Sequence, residues 1–134
     1  MKALMIAASI AGLAGSAAAA PRSCPPGLRP ATTAELFFGR DVGDEPGVSD
    51  ADWRRFVDEE VSPRFPSGLS VNDVYGQWRG PKGEFVREPS KALFLVLAGN
   101  RDESANLGYV RDAYRRRFHQ ESVLLVEQQA CVSF

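Results

Sequence analysis

The sequence predicts an α+β fold of order β-α-β-β-α-β. Only two stretches carry a helical apolar period, around residues 49–61 and 103–118. Apolar, strand-like runs lie before, between and after them. The middle two are joined by a tight turn, Gly80-Pro81-Lys82-Gly83. Two β-α-β halves joined by a hairpin make a ferredoxin-like sandwich: a four-stranded antiparallel sheet with two helices on one face.

Before this pattern begins, Lys2 is followed by an alanine-rich apolar stretch and the small-residue run Ser16-Ala17-Ala18-Ala19-Ala20. These are the parts of a secretory signal peptide, too short and too weakly flanked for a membrane span. Residues 1–19 are assigned to it, because cleavage after Ala20 would put Pro21 first. Residues 20–33 hold Pro21, Pro25, Pro26 and Pro30, and are read as an extended tail. The ferredoxin-like domain is then residues 34–134.

The first strand is expected over Ala34–Arg40, closed by the turn-rich Asp41-Val42-Gly43-Asp44-Glu45-Pro46-Gly47. Ser49 then suits a helix N-cap, with Asp52 as a short capping-box partner and Val48 stapled to Trp53. Trp53, Phe56, Val57 and Val61 share one helical face, and Arg54, Arg55, Asp58 and Glu59 the other. Pro63 and Pro66 end that helix. The second strand is expected over Leu69–Arg79 and the third over Glu84–Leu97, interrupted by Pro89. The second helix buries Leu107, Val110, Tyr114 and Phe118 and ends in Arg115-Arg116-Arg117, cations that suit the helix dipole. Val123–Phe134 is the last strand.

The segment Gly76–Lys91 has the glycines and cations of an anion-cradling loop, but such a loop must lead into a helix. Here a strand-like run follows. Counting back from a four-residue turn sets Arg79 opposite Glu84, Trp78 opposite Phe85, Tyr75 opposite Glu88 and Leu69 opposite Phe94. Pro89 cannot donate to a central ladder, so the part beyond it is expected to protrude as a two-stranded arm held by Trp78 on Phe85.

Sixteen Lys and Arg stand against 17 Asp and Glu, a formal net charge of −1. A general nucleic-acid binder would show a basic excess, so that class is set aside. The two cysteines, Cys24 and Cys131, read as a disulfide in an exported chain. The bridge would close a loop over most of the chain, worth roughly 4–5 kcal/mol in the chain-entropy model. Free thiols are the alternative.

The blocks "TAELFFGR", "VSDADWRRFV", "FPSGLSVNDVYGQWR", "EPSKALFLVL" and "RRRFHQESVLL" resemble a family of small exported bacterial proteins, domain of unknown function 3574. The resemblance runs from about Thr33 to Phe134. It implies an exported α+β domain, and it brings no catalytic residues.

Chemistry-bearing constellations are sparse. With one histidine, His119, and both cysteines bridged, no metal site and no cofactor is expected. The acidic stretch Asp41–Glu45 lacks the spacing of a calcium loop and reads as a solvated turn. His119-Gln120-Glu121-Ser122 holds catalytic residue types, but adjacency is not a triad, and His119 reads as a helix-end residue. Arg115-Arg116-Arg117 could meet an acidic partner or simply face solvent. The run Ala92–Ala98 is apolar on both faces, so the helix-free face of the sheet should expose apolar side chains, with Phe37 or Phe38 beside them. Three covers are open: a second copy, a small apolar ligand, or the N-terminal tail.

The leading expectation is a non-enzymatic exported interaction domain, periplasmic or secreted, that forms a homodimer through the open sheet face. The first alternative is a small enzyme or ligand binder, with Arg40, Tyr75, Gln77 and Glu88 around an apolar floor. Tyr75, Gln77 and Glu88 share a face if the hairpin has no bulge. The second alternative is a structural envelope protein, or a partner of one.

Overall fold

A computed structural model describes residues 23–42 and 45–134. The signal-peptide assignment lies outside the described residues. Strands β1 (Arg29–Gly39), β4 (Ser70–Arg79), β5 (Phe85–Leu97) and β6 (Leu124–Val132) form one sheet in the order β4-β5-β1-β6. Every neighbouring pair is antiparallel. Helices α1 (Asp50–Phe56) and α2 (Glu103–Phe118) pack on one face. A two-residue pair, β2 (Asp41–Val42) with β3 (Glu45–Pro46), occupies the turn before α1. This is the α+β sandwich expected of a β-α-β-β-α-β chain.

Alternation decides which residues form the core. In β1, Ala34, Leu36 and Phe38 are fully buried, whereas Glu35 and Phe37 point the other way. Leu93 and Leu95 of β5 join them. The helices supply Trp53, Phe56, Val61, Leu107, Val110 and Tyr114. Phe38 sits at the centre, edge-on to Trp53 and Tyr114 with ring centroids 5.0 and 4.8 Å away. Such edge-to-face pairs add to area burial.

The expected caps are present. The Ser49 hydroxyl accepts from the Asp52 amide at 3.1 Å, and Val48 and Trp53 are buried in the core, as a staple requires. After Phe56 the helix widens into a π turn over Val57–Val61, closed by Ser62 N–H to Val57 O at 2.8 Å, just ahead of Pro63. Nothing in the helical pattern marks Glu103, yet it is buried. It accepts the amides of Ala98, Gly99 and Asn100 and so ties the β5–α2 turn.

Two expectations are corrected, the second with consequences for the arm. β1 begins at Arg29, not Ala34, so the end of the proline-rich tail is strand. Pro30 is tolerated because it faces Cys131 of β6 and pairing with β5 starts only at Thr32. The hairpin register is one residue off the sequence count. Gly83 has φ +85°, its amide bonds Gly80 O at 3.0 Å, and Gly80 N–H bonds Glu84 O at 2.9 Å. This is a type I turn closed by a left-handed glycine bulge, which inserts one residue. The pairs are therefore Arg79 with Phe85, Trp78 with Val86, Gly76 with Glu88 and Ser70 with Phe94. Consequently Trp78 does not hold the arm by facing Phe85, and Arg79 does not face Glu84. Instead the Arg79 guanidinium lies 5.8 Å from the Phe85 ring centroid.

The arm itself is present. β1 stops pairing with β5 at Ser90, and Phe85–Pro89 pairs with β4 alone. Pro89 still accepts a bond from the Arg40 amide at 3.2 Å, so the missing donor faces the side where β1 has ended. Tyr75 and Phe85 on this arm are 83% and 62% exposed.

Candidate functional site

Among the described residues no helix lies on the second face of the sheet. Register places Phe37, Val74, Trp78, Val86, Ala92, Phe94, Val96, Leu124 and Val126 there. Of these only Ala92 is buried; Trp78 and Leu124 are 47% and 58% exposed. The alternation that builds the core thus also lays a broad apolar strip across the opposite face.

At one end of this face a cleft of about 630 Å³ opens. Four separate segments meet there: the end of β1, the root of the arm, the end of α2 and the start of β6. Its apolar wall is Phe37, Val86, Leu124 and Trp78. Glu88 lies over Gly39, where any β-carbon would collide with its carboxylate. Its Oε1 accepts the Asp41 amide at 3.0 Å. Beneath, the Tyr114 hydroxyl donates to Gly39 O at 2.8 Å, and burial pushes this phenol well above its ordinary pKa, so it stays protonated. His119 ends α2 in the left-handed conformation, φ 54°, and brings Gln120, Glu121 and Ser122 to the rim. Gln120 Nε2 donates to Asp41 O at 2.7 Å and pins that rim to the end of β1.

The four residues proposed from sequence are not brought together. Glu88 lines the cleft. Tyr75 and Gln77 lie on the other face of the arm, because the bulge at Gly83 shifts the register on which their shared face depended. Gln77 accepts there from Arg87 Nε at 2.7 Å. Arg40 lies with the helices: its Nε donates to Val48 O at 2.8 Å and its guanidinium is 3.1 Å from Asp50.

That Arg40 contact belongs to an ion cluster. Lys91, almost fully buried, reaches Asp73 and Asp50. The bond from Lys91, followed by the Arg40 charge, lowers the Asp50 pKa; the bond to Asp73 raises that of Lys91 against its burial. The signs differ. A lowered Asp50 gives stability above its ordinary pKa of 3.8 that is lost as pH falls through the folded value. A raised Lys91 gives stability below 10.5 that is lost as pH rises through the folded value. Asp50→Asn should flatten the acid limb of denaturation midpoint against pH, and Lys91→Met the alkaline limb. Unchanged limbs in both variants would show that the cluster does not contribute.

Most arginines of α2 are already engaged. Arg115 Nε donates to Glu121 O at 3.0 Å, Arg111 Nε to Val123 O at 3.0 Å, and Arg117 pairs with Glu59 at 2.7 Å. They lace the helix to the rest of the fold rather than form an anion site. Cys24 and Cys131 form a disulfide with Cα atoms 5.6 Å apart. Among the described residues no helix is long and apolar enough to cross a membrane.

A small α+β sandwich with one bare sheet face is a widely reused scaffold, so its class comes from comparison. The chain belongs to the family described as a protein of unknown function (DUF3574), whose model matches residues 33–134. No curated protein matches. Among solved structures, a phage SAM lyase in complex with S-methyl-5′-thioadenosine is similar, with TM-score 0.60 and 20% identity over 78% of this chain and 90% of that one. The apo phage SAM lyase gives TM-score 0.59 and 20% identity over 84% and 95%. At that identity the likeness is one of fold.

Proposed function

We propose that this chain is an exported interaction domain that pairs with a second copy of itself through the open sheet face. The carrying observation is the apolar strip from Phe37 to Trp78 on the helix-free face, in which Trp78 and Leu124 are exposed and all the others but Ala92 are only partly buried. The N-terminal tail is a poor cover. Cys24 ties it to Cys131, opposite Pro30, which by alternation lies on the helix side of the sheet. The disulfide supports an oxidising compartment, in keeping with the signal peptide read from the sequence.

Four strands about 4.8 Å apart and some eight residues long present on the order of 500 Å² of projected area, to which the arm adds. That is the lower end of stable interfaces, so the dimer should dissociate on dilution. Light scattering on the mature protein at micromolar concentration should give about twice the monomer mass, falling as the protein is diluted. Phe94→Lys, at the middle of the strip, should give a folded monomer with unchanged circular dichroism. A strict monomer in the parent protein would remove this reading.

A second reading, a ligand binder or small enzyme, is favoured by the cleft at Glu88. The phage SAM lyase shows that a similar fold can serve an enzyme. A thermal-shift screen that includes S-methyl-5′-thioadenosine tests it: no shift with any compound, beside a firm dimer, counts against it.

A further inference from the structure

We propose that the cleft at the end of the open face binds an organic cation that carries an apolar or aromatic group. This rests on the second reading above and names its ligand class. The volume of about 630 Å³ suits a small molecule. Glu88, Asp41 and Glu121 border the cleft, whereas among the described residues no lysine or arginine lines it and His119 is its one basic side chain. With low-dielectric walls, that charge pattern favours a positive guest. A bare metal ion fits poorly, since among the described residues no three His, Cys, Asp or Glu side chains converge. The wall instead offers Trp78, half exposed, and Phe37, surfaces that attract an organic cation and cover its apolar part.

The site is built rather than incidental. Gly39 leaves the space in which the Glu88 carboxylate sits, and the Asp41 amide fixes one of its oxygens. The other oxygen receives no hydrogen bond from the described residues. Ser90 lines the same cleft with only 8% of its surface exposed, and among the described residues its hydroxyl makes one hydrogen bond, donated to Glu88 O at 3.4 Å. A buried hydroxyl with so long a bond retains capacity for a guest.

The test uses three probes with a common ring and different charge: benzyltrimethylammonium, benzyl alcohol and benzenesulfonate. Each is titrated calorimetrically into the mature protein, and the part of the tryptophan fluorescence change that is lost in Trp78→Leu, which leaves Trp53 in place, reports on Trp78. The cation should bind roughly tenfold tighter than the alcohol, and the sulfonate should not bind. Glu88→Gln, which keeps the shape and can still accept the Asp41 amide, should remove the preference for the cation. Trp78→Leu should weaken binding of the cation by several-fold. Glu84→Gln, on the hairpin loop outside the cleft, should change neither. Equal affinity for cation and alcohol would overturn the ligand class while leaving a ligand-binding cleft. No binding by any probe at millimolar concentration would remove both. Full retention of the cation preference in a folded Glu88→Gln variant would also refute the proposal.

Discussion

Phe38→Ala should lower the unfolding free energy by about 3–5 kcal/mol, the cost of truncating a fully buried phenylalanine. The ring is enclosed by Trp53, Phe56 and Tyr114 at centroid distances of 5.0, 6.1 and 4.8 Å. These three come from both helices, and large aromatic neighbours held on separate elements cannot collapse into the void. The cavity component should therefore be near its upper range. A domain of this size is stable by about 5–15 kcal/mol, so much of the total is at stake. The adjacent residue provides the control. Phe37 faces the open side and is only half buried, so Phe37→Ala in the monomeric Phe94→Lys background should cost about 1 kcal/mol or less. Urea unfolding of the two variants decides it. Equal losses would show that the two faces of β1 are not as different as alternation makes them.

The contrast between these neighbours also shows what the sequence can and cannot specify. Element type was legible because period 3.6 and period 2 are properties of contiguous residues: Trp53, Phe56 and Val61 read as one helical face and are buried together. Alternation does not decide whether Phe37 or Phe38 faces the helices, since it gives two faces without saying which is covered. The arm was legible from Pro89, because a missing donor restricts where a proline can sit. Its register differs by one residue from the count across a plain four-residue turn, and Gly83 carries the signal: a glycine in the left-handed region after a type I turn adds one residue. That slip moved Glu88 to the face opposite Tyr75 and Gln77, and so dispersed the candidate site. The cleft draws on Phe37, Gly39, Asp41, Glu88, Ser90 and His119, from segments far apart in the chain. The first strand, the second helix and the hairpin must all be placed before these residues are seen to meet. The acids and aromatics were visible as types, but their meeting is a property of topology.

Removing the disulfide, as Cys24→Ala with Cys131→Ala, should destabilise the protein by about 2–5 kcal/mol. The bridge spans 107 positions, so in the chain-entropy model the unfolded chain regains nearly its full freedom when it is cut. On a domain of this length the loss should appear as a fall in Tm of about 10 °C or more. The location adds a local effect. Cys131 lies opposite Pro30, where β1 is paired with β6 but not yet with β5, so this end of the sheet has fewer ladder bonds to hold it. Without the bridge, Arg29–Ala31 and the last residues of β6 should open first. Hydrogen exchange should then rise at Ala130 and Val132 more than at Leu93 or Leu95 in the centre of the sheet. A uniform rise across the sheet would mean that the bridge acts only on the unfolded chain. No change in Tm would mean that it neither restrains that chain nor secures the end of β1. Either result would be compatible with the fold, but only local opening makes the bridge the fastener that holds the proline-rich tail in register as part of the first strand.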